Sequence, residues 1–258
     1  MIKIENVTMQ FGGLKAVDSL SFYVPKGSLF GLIGPNGAGK TTAFNVLTGV
    51  YTPTSGKVIF NGEDITGKKP YQISQCGLTR TFQNIRLFKQ LTVLENALVA
   101  GIQNTDYGLR DAFFFTKKFV STEAQLLSKA RELLSLFGLL KRENEIASSL
   151  PYGEQRKLEI VRALMTEPKM ILLDEPAAGM NHSETHSLMD LIARVRKEFD
   201  LTILLIEHDM KLVMGICEQI VVLDHGVKIE EGTPSKIQNS QKVIEAYLGV
   251  EAAEEGAH

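Results

Sequence analysis

Gly34, Gly39, Lys40 and Thr41 stand at the fixed positions of Gly-x-x-x-x-Gly-Lys-[Ser/Thr], inside the stretch Gly34-Pro35-Asn36-Gly37-Ala38-Gly39-Lys40-Thr41-Thr42. The chemistry this spacing serves is the binding of a polyphosphate. Gly37 and Gly39 let the backbone fold tightly enough for successive N–H groups to point at phosphate oxygens. Lys40 can reach the β and γ phosphates, and the Thr41 hydroxyl can ligate Mg²⁺. Two adjacent carboxylates, Asp174 and Glu175, follow the apolar run 170–173. The first can hold Mg²⁺ and the second can polarise an attacking water. His208 follows another apolar run, 202–206, within Glu207-His208-Asp209. It can donate to a γ-phosphate, although a histidine there also serves structure. Gln83, in Arg80-Thr81-Phe82-Gln83-Asn84, is either an inert loop residue or a contact for Mg²⁺ or the water. Phe11, in what reads as the loop Gln10-Phe11-Gly12-Gly13, belongs to the core or lies under a base, where stacking tolerates base identity.

These groups need a scaffold that brings them to one edge. The apolar run 29–33 reads as a buried strand feeding the glycine loop, and 42–47 reads as the start of a helix. Short apolar strands at 170–173, 202–206, 220–223 and 227–229 alternate with helical patterns at 153–165, 184–199 and 210–217. That order predicts a parallel sheet covered on both faces, with ligands at the carboxyl ends of its strands. Alternation at 2–8 and 20–24, and at 57–60 closing on Asn61-Gly62, predicts a small antiparallel sheet. Residues 91–150 read as helical, and 124–140 carries a single apolar stripe that Gly138 ends or kinks. The aromatic-rich segment 107–119 is expected to be a short helix packed on its neighbours; an exposed patch for a partner is the other reading. One or two surface helices should fill 234–248, with a frayed acidic tail over 251–258.

Composition narrows the function classes. The chain has 258 residues, 44% hydrophobic and 22% charged, with a net charge of −2. Such a balance is that of an ordinary soluble protein and gives no electrostatic support to nucleic-acid binding. Cys76 and Cys217 have no metal-ligand or redox spacing. No stretch approaches the roughly 18 apolar residues of a membrane span, and the opening Met-Ile-Lys-Ile-Glu does not read as a signal peptide. A cytoplasmic protein is expected, brought to any membrane by another chain.

The phosphate loop, Gln83, the segment Leu150-Pro151-Tyr152-Gly153-Glu154-Gln155, Asp174-Glu175 and His208 occur in an order that resembles the nucleotide-binding subunit of ABC transporters along nearly the whole chain. Residues 11–17, 80–83, 177–181, 203–210 and 245–249 are similar to the branched-chain amino acid importer type. The resemblance implies an α/β P-loop NTPase with a RecA-like parallel sheet core, an antiparallel β subdomain and an inserted helical subdomain. It divides the chain into a nucleotide-binding core with β subdomain (1–90 and 156–235), a helical subdomain with the signature loop (91–155), and a C-terminal helix and tail (236–258). It implies two ATP molecules sandwiched in a homodimer or a heterodimer with a second ABC ATPase subunit. Phe11 would stack on adenine, and residues 34 and 36–42 would hold phosphates. Thr41, Gln83 and Asp174 would serve Mg²⁺, Glu175 would be the catalytic base, and His208 the γ-phosphate contact. Tyr152, Gly153 and Glu154 would reach the ATP of the other subunit. The implied partners are integral membrane permease subunits and, indirectly, a periplasmic or extracellular solute-binding protein, which would place the chain on the inner face of the cell membrane.

Two segments depart from the family pattern. Pro151 and Tyr152 replace the Ser and first Gly of Leu-Ser-Gly-Gly-Gln, and Asn181 stands where Asp is usual. An export or lipid-extraction ATPase would share the catalytic residues, and only the subgroup motifs argue against it. A soluble ABC protein acting on nucleic acid or ribosomes would usually carry two cassettes or a coiled-coil insert. A GTPase would need Asn-Lys-x-Asp, and the chain has no Asn-Lys pair.

Overall fold

Runs of four or five apolar residues, buried along the whole strand, recur three times, and each belongs to a strand of one sheet. The computed structural model describes residues 1–247. Its elements are β1 (Ile2–Phe11), β2 (Leu14–Val24), β3 (Leu29–Ile33), α1 (Lys40–Leu47), β4 (Ser55–Phe60), β5 (Glu63–Asp64), α2 (Pro70–Gln75), β6 (Leu78–Arg80), α3 (Val93–Gly101), α4 (Leu109–Phe113), α5 (Lys117–Leu136), α6 (Tyr152–Met165), β7 (Met170–Asp174), α7 (His182–Glu198), β8 (Thr202–Ile206), α8 (Met210–Ile216), β9 (Gln219–Asp224), β10 (Val227–Gly232) and α9 (Pro234–Gln238). Residues 241–247 are helical again. The expected fraying of 251–258 lies outside the described residues.

The chain divides into two compact units. The first comprises Met1–Arg80, Lys169–Glu175 and the segment from Ile192 onward. It holds a six-stranded sheet in the order β10-β9-β3-β8-β7-β6, parallel except for β10 at the edge. β3, β7 and β8 are buried at every position, including Asp174 at the end of β7 and Thr202 at the start of β8, as central strands of a covered parallel sheet should be. The expected parallel core is present. β10 turns back antiparallel because His225 and Gly226, both at positive φ, make a two-residue hairpin. A second sheet, β2-β1-β4-β5, is antiparallel throughout. β1 and β2 run further than the alternation suggested, to a turn at Gly12-Gly13, so Phe11 ends a strand rather than sitting in a loop. α2 and β6 had no counterpart in the sequence pattern.

The second unit comprises Thr81–Pro168 and Pro176–Leu191. It gathers α3, α5 and α6 around Ala97, Ala130, Leu133, Leu134, Leu158 and Val161, all buried. Residues 81–90 and α6 group with these helices, whereas the sequence reading drew the helical insert over 91–155. Asn96, fully buried, ties the preceding loop down: its side chain accepts from the Phe88 N–H and donates to the carbonyls of Phe88 and Thr92, at 3.0, 3.0 and 2.9 Å. The aromatic segment corrects an expectation. α4 is a short helix as anticipated, but Phe113, Phe114 and Phe115 are exposed rather than packed on neighbours.

Candidate functional site

In the first unit, β3 delivers the chain into the glycine loop at its carboxyl end. Gly34 has φ 152 and lies so close to β9 that a Cβ would meet the Leu223 carbonyl oxygen at 2.1 Å. At Gly39, φ 99, a Cβ would meet the Ala16 carbonyl oxygen at 2.4 Å. Only glycine fits either place. The loop closes through Ala38 N–H to Pro35 O at 3.2 Å and Gly226 N–H to Ala38 O at 3.0 Å. No side chain caps α1, which starts at Lys40, so its first N–H groups remain available to an anion. Asn36 and Gly37 are exposed at the loop's tip, and Thr41 and Thr42 lie on the first turn of α1, exposed and half-buried.

Lys40 is buried, and its ammonium donates to Gly34 O at 2.7 Å and Pro35 O at 2.8 Å. Burial lowers its pKa, and the charges of Glu175 and Asp174 oppose that shift. Those two carboxylates therefore share the site with Lys40. Asp174, the last residue of β7, is 2% exposed and accepts from Arg80 Nη2 at 2.6 Å through Oδ2. Its Oδ1 is buried without a hydrogen-bond partner. Glu175 sits at φ 49, a strained left-handed conformation for a side-chain-bearing residue, pinned by its N–H to Ile206 O at 2.9 Å. His208 Nε2 lies 2.5 Å from Glu175 Oε1. The ring nitrogen donates, because an ionised carboxylate oxygen can only accept. Phe11 is half-exposed, edge-on to Tyr51 with ring centroids 5.3 Å apart.

The second unit holds the remaining candidates. Gln83 is exposed on a loop whose backbone is gripped by Arg156 of α6. Arg156, 2% exposed, donates to Phe82 O at 2.8 Å, to Gln83 O, to the Tyr152 hydroxyl at 3.0 Å and to Glu159 at 3.3 Å. Glu159 in turn accepts from the N–H groups of Phe82 and Arg86 at 3.3 and 3.4 Å. Burial raises the Glu159 pKa against these bonds and the Arg156 charge. One arginine thus joins the Gln83 loop to the signature loop. Tyr152 packs its ring on Gly179, where a Cβ would come within 3.0 Å. Glu154 is ion-paired with Arg142 of its own unit at 2.9 Å. Asn181 and Glu184 exchange backbone-to-side-chain bonds of 3.0 Å each, a reciprocal cap for α7 that an asparagine makes as well as an aspartate.

Against this geometry, the family model for ABC transporters matches residues 17–178. The chain belongs to the ABC transporter family. A second family model, for branched-chain amino acid ATP-binding cassette transporters, matches residues 227–253. Among curated ABC relatives, the high-affinity branched-chain amino acid transport ATP-binding protein LivG of Escherichia coli K12 is 46% identical over 96% of this chain and 98% of its own. BraF of Pseudomonas aeruginosa, described in the same terms, is 45% identical over the same shares. Two solved ABC cassettes superpose over 96% of this chain and 98% of theirs. One is nucleotide-free, with TM-score 0.82 and 35% identity, and one is in an ADP conformation, with TM-score 0.84 and 34% identity. The fold is that of an ABC ATPase cassette, and the chain is an ABC-type ATPase that binds nucleotide.

The loop 34–42, Asp174, Glu175 and His208 come together in one unit. Sequence reasoning did not single out Arg80, Arg156 or Tyr247. The Tyr247 hydroxyl accepts a hydrogen bond from the Gly34 N–H, while burial pushes its pKa up to about 12. No spacing rule marks these three, each of which bonds a partner far away in the chain: Asp174 for Arg80, Phe82 and Gln83 for Arg156, Gly34 for Tyr247.

Proposed function

We propose that this chain is the ATP-hydrolysing subunit of an ABC importer and energises uptake of branched-chain or related hydrophobic amino acids. The observation that carries the reading is the Glu175–His208 contact beside the Lys40 loop, in a chain 46% identical to LivG over nearly its whole length. The match at 227–253 speaks against the export alternative. In this reading two cassettes close on ATP, and hydrolysis reopens them. Lys40 and the N–H groups at the start of α1 hold phosphates, Phe11 stacks on the base, and Glu175 takes the proton of the attacking water while His208 contacts the γ-phosphate. Tyr152 and Gly153 offer their N–H groups, which have no partner among the described residues, to the ATP of the facing subunit. Pro151 at the cap position fixes φ before them. For Gln83 and Glu154 we retain the roles that the resemblance implies.

The residues present fit Mg²⁺. A buried carboxylate oxygen without a hydrogen-bond partner, Asp174 Oδ1, suits a cation or its water. Asp174 and Thr41 would hold the ion, which when bound offsets phosphate charge.

No helix among the described residues is long and apolar enough to cross a membrane; in this reading permease subunits supply the path. We place the chain on the cytoplasmic face of the membrane through those subunits, with an extracytoplasmic solute-binding protein as an indirect partner. The exposed residues Arg86 and Phe88 lie on the loop that Arg156 and Asn96 hold, and we propose this loop as the permease contact. Cysteines placed at either position should crosslink to a membrane protein; crosslinks arising solely from C-terminal positions would exclude it. Deleting the gene should abolish uptake of labelled leucine, isoleucine and valine and spare that of lysine. Unchanged uptake of all three would overturn the transport reading.

Lys40→Met should weaken ATP binding by about 10- to 100-fold, the worth of a charge-assisted hydrogen bond to phosphate. Titration with a fluorescent ATP analogue measures this, and an unchanged affinity would remove Lys40 from the phosphate site.

A further inference from the structure

Arg80, the last residue of β6, buries its guanidinium between the strand that carries Asp174 and the helix that follows the glycine loop. The Arg80 side chain is 5% exposed and that of Asp174 2%. Nη2 donates to Asp174 Oδ2 at 2.6 Å. Nη1 donates to Asn45 Oδ1 on α1 at 2.7 Å and to the Thr48 hydroxyl at its end at 3.4 Å. The guanidinium carbon lies 5.5 Å from the centre of the Phe44 ring, on the same helix. All these residues belong to the first unit.

A buried ion pair adds little stability beyond what apolar side chains of the same volume would give. The geometry supplies another reason for an arginine here. Arg80 engages Oδ2 of Asp174, while Oδ1 is buried with no hydrogen-bond partner. Asp174 therefore has a single oxygen to offer a cation or its water.

The same guanidinium braces the frame. Asn45 follows Thr41 by four residues, so the two share a face of α1. Arg80 ties that face to Asp174, and so links the elements carrying both groups that would hold Mg²⁺. A planar fork can make both bonds at once, which a lone ammonium cannot.

Divalent cations differ in what they ask of such a frame. Mg²⁺ requires near-ideal octahedral geometry at about 2.0–2.1 Å and keeps several waters. Ca²⁺ accepts looser geometry at about 2.3–2.6 Å and readily takes both oxygens of one carboxylate. A braced carboxylate with one oxygen committed favours the smaller ion.

We propose that Arg80 is a positioning residue that sets the ion preference of the ATP site, holding Asp174 to one free oxygen so that Mg²⁺ is taken over Ca²⁺. The inference rests on the reading of Asp174 as a Mg²⁺ ligand.

The test reads ion binding rather than turnover. The full-length protein, saturated with the non-hydrolysable analogue adenosine 5′-(β,γ-imido)triphosphate, is loaded with Mn²⁺, whose electron paramagnetic resonance signal reports the bound ion. Mg²⁺ and Ca²⁺ are then titrated in to displace it. Arg80→Gln should shift the displacement ratio towards Ca²⁺ by about tenfold, the lower end of what a partner of a metal-binding carboxylate is worth. Arg80→Lys keeps the buried charge but cannot hold Asp174 and Asn45 together, and its ratio should fall between the two. It also keeps the test open should the glutamine variant not fold. Binding of a fluorescent ATP analogue in EDTA should match the parent's in both. A parent-like ratio in either folded Arg80 variant overturns the proposal. Loss of metal-free nucleotide binding in both also overturns it, by making Arg80 a structural residue. Asp174→Asn separates the two levels of the argument. If it weakens Mn²⁺ binding while the Arg80 variants keep the parent's ratio, the role of Arg80 alone falls. If Asp174→Asn binds Mn²⁺ like the parent, the Mg²⁺ reading of Asp174 falls and this inference with it.

Discussion

Glu175→Gln is expected to lower ATP turnover by roughly 10²–10⁴-fold, the usual worth of a positioned general base, while ATP still binds. Glutamine keeps the shape of the side chain and can still meet His208, so the left-handed turn at φ 49 and its bond to Ile206 O persist. What disappears is the proton acceptor. One negative charge is also removed from a site that must hold a polyanion next to Asp174. Lys40, whose charge Glu175 and Asp174 both support, still has Asp174. ATP should therefore trap a long-lived dimer that the parent reopens by hydrolysis. Size-exclusion chromatography with and without ATP, run beside a phosphate-release assay, reads both effects. Turnover equal to the parent's would remove Glu175 from the role of base.

The site's first unit was legible because its chemistry depends on short-range order. A glycine loop after a buried strand and carboxylates after another leave local traces in sequence, and β3, β7 and β8 repeat the same all-buried pattern. β6 left no such trace. Its three residues, Leu78-Thr79-Arg80, are too few for a period, yet they position the arginine that binds Asp174. Phe11 looked like a loop residue because Gly12-Gly13 reads as a break, although it is a two-residue hairpin between long strands. The phenylalanines after α4 misled in the opposite sense. Apolar type argues for burial only on average, and the left-handed turn at Phe115 directs this group outward. Tyr152 shows how a departure from a motif can be compensated elsewhere. The bulk that replaces a glycine lies on Gly179, and its hydroxyl reaches Arg156.

Arg156→Met should both destabilise the protein and slow hydrolysis, and a second substitution can separate the two effects. Removing the guanidinium leaves the buried Glu159 without its cation and the carbonyls of Phe82 and Gln83 without their donor. Breaking one partner of a buried pair costs about 3–5 kcal/mol, which at about 2–4 °C per kcal/mol is a melting-temperature loss of roughly 10 °C. Arg156→Lys should fare little better, because one ammonium cannot span two carbonyls, a hydroxyl and a carboxylate as a planar fork does. Adding Glu159→Leu to Arg156→Met replaces the pair by apolar groups and should recover much of the lost stability. It does not restore the tie between residues 82–83 and Tyr152. Hydrolysis should therefore stay low in the double variant, with nucleotide affinity near the parent's, because the Lys40 loop belongs to the other unit. If turnover returns together with the melting temperature, Arg156 serves stability alone and the link between the Gln83 loop and the signature loop carries no function.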